Sequence, residues 1–337
     1  MDAREKFSKL MQQGHGRCAV ILEKADDMSV YRDVVLNGCR RNFAYDAQCE
    51  GTRAWYVHRL TEFFGDKNVF VSEACEALKK LDDPWGWDFY HLCDLLTYFA
   101  CDGEMRAADA IVKKYDELKD VLISKHEFSM VDHDRDHFNH IAGMLLKFRG
   151  TEGFTAVIGD IGRIIARNPH YDGDDFDQFD FDSKRILGKD TVARILAEST
   201  NEMTVLYRDS IAAAKEKHRA AAEARKQQSS PGRIPKREEV YDVTALLETL
   251  YGTTAEYTDG YGSGHHGASF DLIQAREKGL DVPDEALMRI YETTLCSCCR
   301  HNAVKLLRDT GLFTREMAEE AVNDCYEHTR NLAAECE

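Results

Sequence analysis

Helix-forming stretches follow one another along this chain at a repeating distance. Start signals fall near Ser29, Asp46, Asn68, Pro84 and Glu104, so two-helix units begin at about 29, 68 and 104, a spacing of roughly 36–39 residues. A period of that size marks arrays of helix pairs, in which each pair buries its apolar face against its neighbours. Inside the units the apolar residues recur at helical spacing. Phe89, Leu92, Leu96, Phe99 and Ala100 stand at i, i+3, i+7, i+10 and i+11, which lines one face of a helix. Ser29 reads as the cap of a helix carrying Val30, Val34 and Cys39. Asp46 reads as the cap of a helix carrying Cys49, Tyr56, Leu60 and Phe63. No segment alternates with a period of two, and only five prolines occur in 337 residues. The reading is therefore all-α, with long uninterrupted helices.

Three stretches can be told apart. Residues 1–170 carry N-terminal helical repeats, ending in helices near 130–148 and 151–167. Residues 171–240 hold an irregular acidic loop, a long helix and a basic linker. Residues 241–337 return to helices, near 284–294, 298–310 and 314–335. The stretches pack either as two lobes broken near 170–240 or as one continuous array. The acidic loop has six aspartates and no basic residue between Asp172 and Asp182, with Phe176, Phe179 and Phe181 interleaved. It lacks the central glycine and closing glutamate of a calcium loop, so it reads as a solvated loop or short helix with aromatic anchors. Between Lys215 and Arg237 eight Lys or Arg stand against two Glu, interrupted by Ser229-Ser230-Pro231-Gly232. This island suits an exposed helix end and linker, or docking to an acidic partner or to the chain's own acidic loop.

The formal net charge of −16 opposes binding to nucleic-acid phosphates and to anionic membranes, and favours basic partners. Eleven cysteines in a chain of this length are no secreted staple pattern. The opening residues lack the charged-then-apolar order of a signal peptide, and no run of 18 apolar residues exists. A cytoplasmic protein with reduced thiols is expected.

Three constellations could carry chemistry. His133, Asp136, His137 and His140 are spaced so that imidazoles on one helical face can share a metal, zinc or a similar transition ion, and would serve a metal-dependent hydrolase or lyase. Cys296 and Cys299 form a C-x-x-C pair able to start a zinc site or a redox couple. Its supporting ligands, Cys325, His301, His328 and Cys336, are available only singly. Asp46, Gln48, Glu50 and Arg53 form a polar cluster in which Glu50 and Arg53 pair at i,i+3. It reads as an inter-helix lock or as a binding surface. Gly51 inside this stretch suggests close helix approach or ligand access. A glycine-rich loop over 252–267 ends in Gly262-Ser263-Gly264-His265-His266-Gly267. It could cradle an anion but lacks the lysine and preceding strand of a phosphate loop. No G-x-S-x-G or H-E-x-x-H occurs.

Arg300-His301-Asn302-Ala303 and Arg330-Asn331-Leu332-Ala333 resemble the R-x-x-A helix of HEAT repeats. The stretches Tyr45–Arg53, Arg135–Phe138 and Cys296–Arg300 look like segments of bacterial HEAT-repeat-containing proteins of unassigned function. The resemblance covers the chain loosely from about 29 to 335. It implies a HEAT-like α-solenoid of antiparallel helix pairs and partner binding, and carries over no catalytic residue. The function expected is a non-enzymatic scaffold or adaptor. Its concave surface would take a protein or peptide, with acidic side chains selecting basic ligands and no cofactor required. A HEAT-like nucleic-acid enzyme is disfavoured by the net charge.

Overall fold

The computed structural model describes residues 2–81, 86–125, 132–228, 240–253 and 264–335. Pro84, the linker 229–237, the glycine loop up to Ser263 and Cys336 lie outside the described residues. Every element is helical, and no strand occurs among the described residues. In chain order the helices are α1 (Ala3–Gln13), α2 (Arg17–Lys24), α3 (Ser29–Gly38), α4 (Ala47–Glu50), α5 (Ala54–Thr61) and α6 (Asn68–Lys80), then α7 (Trp87–Cys101), α8 (Met105–Ser124), α9 (His133–Arg167), α10 (Asp177–Leu187), α11 (Lys189–Glu198) and α12 (Glu202–Gln228). They end with α13 (Val243–Gly252), α14 (Gly264–Glu277), α15 (Asp284–Thr293), α16 (Ser297–Asp309), α17 (Arg315–Ala321) and α18 (Glu327–Ala334). No helix among the described residues is long and apolar enough to cross a membrane.

The chain divides into two compact units. One combines residues 1–73 with 236–337, and the other is residues 74–235. These units are defined by which segments pack together, which repeat spacing does not report.

The first unit is built from both ends of the chain. Its core holds Leu250, Leu272, Ile273 and Ile290 with Cys296 and Cys299, beside a second cluster of Leu287, Tyr291, Val304, Leu307 and Met317. The N-terminal helices are tied to the C-terminal ones by polar contacts. The amide of Cys325 donates to the carbonyl of Gly14 at 2.9 Å, and Arg17 pairs with Glu320. A Cβ on Gly16 would sit 1.7 Å from the carbonyl oxygen of Glu320, so only glycine allows α2 and α17 this close.

Local chemistry explains the helix ends. Asp46 caps α4 by accepting from the amides of Gln48 and Cys49 at 3.1 and 3.4 Å. The helix then stops after one turn, because Gly51 adopts φ +73°. A single helix through 46–63 is therefore replaced by α4 and α5. A Cβ on Gly51 would meet nothing within 4 Å, so the glycine serves the left-handed turn and no close approach. Ser29 does not cap α3. It is the first helical residue, and its amide donates to Asp27 at 2.9 Å.

In the second unit α9 packs on α7, α8, α10 and α12, around Leu92, Leu96, Phe99, Ile111, Phe138, Leu145, Phe154 and Ile158, all fully buried or nearly so. The helices read at 130–148 and 151–167 are the two arms of α9, which kinks at Gly150 with φ 56°. The acidic stretch folds into a 3-10 turn, Gly173–Phe176, and α10. Phe176 and Phe179 are its buried anchors, whereas Phe181 is exposed. Several of its aspartates are paired from within the unit. Asp175 pairs with Arg135 at 2.8 Å, Asp180 with Lys184 and Lys215, and Asp174 with Lys217. The described start of the basic island thus docks on the chain's own acidic stretch.

Candidate metal centre

The site lies in the first unit, at the N-terminus of α16. Cys296 occupies the N-cap position with extended backbone, φ −77° and ψ 116°. Its own amide donates to the Thr294 hydroxyl at 3.2 Å, and its sulfur accepts from the amide of Cys299 at 3.4 Å. The neighbouring thiols act on the Cys296 pKa in opposite senses, Cys298 lowering it and Cys299 raising it, and with burial the net shift is upward; a bound cation, helped by the positive end of the helix dipole, would be what holds the thiolate. Cys299 follows three residues later and returns to the same face. Both thiols are buried, 5% and 2% exposed.

The third group comes from the first turn of α14. His266 is half-buried, and its ring lies 5.0 Å from that of Tyr45. A hydrogen bond with Cys296 raises its basicity above the ordinary imidazole value, against the opposing effect of burial. The ligand atoms of His266, Cys296 and Cys299 all lie within 4.8 Å of one another. Zn–S of about 2.3 Å and Zn–N of about 2.0–2.1 Å place tetrahedral donors about 3.5–3.8 Å apart. Side-chain shifts of about 1 Å or less would close the three atoms around one ion.

A wall of buried charge supports the site. Glu50 and Arg53 pair at 3.0 Å with both side chains 2% exposed. Ser297, between the cysteines, donates its hydroxyl to Glu50 at 2.8 Å, and the amide of Asp46 donates to the other Glu50 oxygen at 3.1 Å. Arg53 also donates to the carbonyl of Leu295 at 3.1 Å, which fixes the chain just before Cys296. One residue beyond Cys299, Arg300 is fully buried and pairs with both oxygens of Asp324 at 2.7 and 3.1 Å. Burial alone would lower the Arg300 pKa, but Asp324 and the other groups around it raise it, so the guanidinium stays charged. Arg330 donates to the carbonyls of Asp324 and Cys325, each at 2.9 Å, and stacks 3.6 Å over Trp55.

Three stretches singled out separately in the sequence meet here: the Asp46–Arg53 cluster, the C-x-x-C pair and the end of the glycine-histidine loop. Within the first of them Glu50 and Arg53 form the lock, Asp46 caps, and Gln48 is exposed. His301 and His328 meet the Tyr326 ring edge-on instead of joining the thiols, and Cys325 lies against Arg300 at 3.5 Å. Sequence spacing does not single out His266, Ser297 or Asp324. The one available signal was a histidine thirty residues upstream of a C-x-x-C pair.

The histidines of α9 do not gather in this way. His137 is buried, with its ring stacked 4.0 Å from Phe89. His140 lies 3.1 Å from Asp94, and Asp136 pairs with Arg135 at 2.9 Å. Burial moves the His137 pKa down to about 4. Among the described residues, His133, Asp136, His137 and His140 do not bring their ligand atoms together as the thiol site does. No family model, curated protein or solved structure matches this chain.

Proposed function

We propose that this all-α protein binds a transition metal of the zinc class through His266, Cys296 and Cys299. The observation that carries the reading is the convergence of one imidazole and two buried thiols within 4.8 Å. Thiolate and imidazole donors select zinc-class ions over magnesium or calcium, which take oxygen. Cys296 at a helix N-terminus and Cys299 one turn later supply the two anionic ligands, and the ion would tie α14 to α16. Elemental analysis of untagged protein, purified under reducing conditions without chelators, tests this. About one equivalent of zinc is expected, falling to about a tenth or less in Cys296→Ala and Cys299→Ala. Less than about a tenth of an equivalent in the parent protein after reconstitution with zinc would sink the reading.

A second reading is the non-enzymatic HEAT-like scaffold, an α-solenoid of antiparallel pairs that takes a protein or peptide. It draws support from a groove of about 560 Å³ in the first unit, lined by Tyr251, Met288, Leu312, Glu285 and Glu292. Tyr251 and Leu312 are exposed, and the carboxylates beside them suit a basic peptide with an apolar side chain. Pull-downs with the parent protein and Glu285→Lys check this. A partner set that is irreproducible, or identical for both proteins, removes it.

A further inference from the structure

We infer that Cys296 and Cys299 are also a redox site, a dithiol that hydrogen peroxide closes to a disulfide, and that closing it releases the metal. The dithiol chemistry stands on the geometry of the pair itself. The release rests on the metal centre proposed above, and the experiment below separates the two. A peroxide is the class of oxidant that fits. The two thiols are only 5% and 2% exposed, which admits a water-sized molecule and keeps out a protein or a bulky disulfide.

Residues three apart on a helix have Cα atoms about 5 Å apart, inside the roughly 4.4–6.8 Å that disulfides span. Cys296 is the N-cap of α16, and its sulfur lies against the first turn, where the amide of Cys299 donates to it at 3.4 Å. The Cys299 sulfur is within 4.8 Å of it. Turning the two side chains about their Cα–Cβ bonds brings the sulfurs to an S–S bond of about 2.05 Å. The backbone here is pinned by bonds that involve neither sulfur. Ser297 donates to Glu50 at 2.8 Å, Arg53 to the carbonyl of Leu295 at 3.1 Å, and the Cys296 amide to the Thr294 hydroxyl at 3.2 Å. The start of α16 is therefore held in both redox states. Other thiols are engaged elsewhere. Cys18, Cys75 and Cys101 donate to the carbonyls of Phe7, Arg106 and Lys147, and Cys325 accepts from Arg300.

In the metal-free protein the more exposed sulfur, that of Cys296, attacks one peroxide oxygen. The O–O bond breaks, the sulfur becomes a sulfenic acid, and one water leaves. The Cys299 sulfur then attacks the sulfenic sulfur. The S–O bond breaks, the S–S bond forms, and a second water leaves. The two sulfurs give up two electrons, which reduce the peroxide, and the two thiol protons end in the two waters. In the metal-bound protein the sulfurs start as thiolates, so two protons come from solvent instead. The disulfide withdraws both anionic donors and leaves His266 as one imidazole, too few ligands to hold a zinc-class ion. The protein then gives up the ion with the ion's oxidation state unchanged.

The test treats the reduced full chain, zinc-loaded and metal-free, with equimolar hydrogen peroxide, then alkylates it and weighs the tryptic peptide 290–300. In Cys298→Ser the only thiols of that peptide are Cys296 and Cys299. The expected result is that this peptide loses two hydrogens in both arms and regains them with dithiothreitol. The parent peptide should show the same loss with one alkylated thiol. In the loaded arm about one equivalent of zinc per disulfide should reach a chromogenic chelator. A metal-free peptide that keeps its hydrogens, or only gains oxygen, overturns the dithiol site and leaves the metal centre standing. A disulfide formed with zinc retained overturns the release. A disulfide formed in a protein that takes up no zinc overturns the metal centre and leaves the redox pair.

Discussion

At the scale of single residues, the most demanding feature is a pair of buried ion pairs. Arg300 and Asp324 are 0% and 2% exposed, and Arg53 and Glu50 are 2% each. Neither charge in a pair can be removed alone without leaving its partner uncompensated in a low-dielectric core. Arg300→Ala should therefore lower stability by about 3–5 kcal/mol in urea unfolding. A loss below about 1 kcal/mol would mean that Asp324 reaches solvent or another cation. The R-x-x-A motif marked Arg300 in the sequence, but no spacing rule could name Asp324, which lies beyond α17. The histidines of α9 show the reverse case. Their spacing was right for a metal, yet His137 packs on Phe89 and Tyr90, and packing fixes its chemistry. Its folded pKa of about 4 lies below the roughly 6.5 of an unfolded histidine. The unfolded chain thus takes up a proton first as the pH falls. The contribution is fully present above about pH 6.5 and is lost as the pH falls towards about 4. With solvent screening it amounts to about 1–2 kcal/mol. Unfolding curves from pH 7 to 4 should fall less steeply for His137→Phe than for the parent, and equal slopes would contradict the assignment.

At the scale of elements, helix existence was legible and helix continuity was not. Apolar periodicity identified the faces of α7, α8 and α9, because burying a stripe is what those helices do. Breaks at Gly51 and at residues 322–326 depend on backbone conformation and tertiary bonding. The second break exists because Asp324 turns inward to Arg300 while also accepting from the amide of Tyr326 at 2.9 Å, which ends the helix expected over 314–335. Close approach of α9 and α12 was equally hidden. A Cβ on Gly162 would lie 2.0 Å from the carbonyl oxygen of Met203, whereas one on Gly159 would meet nothing within 4 Å. Gly162→Ala should cost about 2–3 kcal/mol by forcing the two helices apart. Gly159→Ala should be neutral or stabilising by up to about 1 kcal/mol. Thermal unfolding of the two variants side by side checks this, and equal effects would contradict the packing.

At the scale of the whole molecule, repeat spacing described the order of helices but not their partners. In an array each pair meets its neighbours, whereas the first unit joins residues from the opening and closing segments, as Gly14 to Cys325 and Arg53 to Leu295 do. That closure brings Glu50 and Arg53 up to the thiols of α16. The candidate site was present in the sequence only as fragments, since linear spacing carries no record of which fragments meet. Charge was partly legible: docking on the chain's own acidic stretch stood among the alternatives for the basic island, and the described start of the island pairs there within the second unit. The central claim is that the fragments meeting at α16 form a metal centre, and X-ray absorption at the zinc edge of the reconstituted full chain tests it most directly. The account predicts a shell dominated by sulfur at about 2.3 Å with one nitrogen at about 2.0–2.1 Å, and loss of sulfur scattering in Cys296→Ala. A first shell of oxygen and nitrogen alone, unchanged by that substitution, would contradict it.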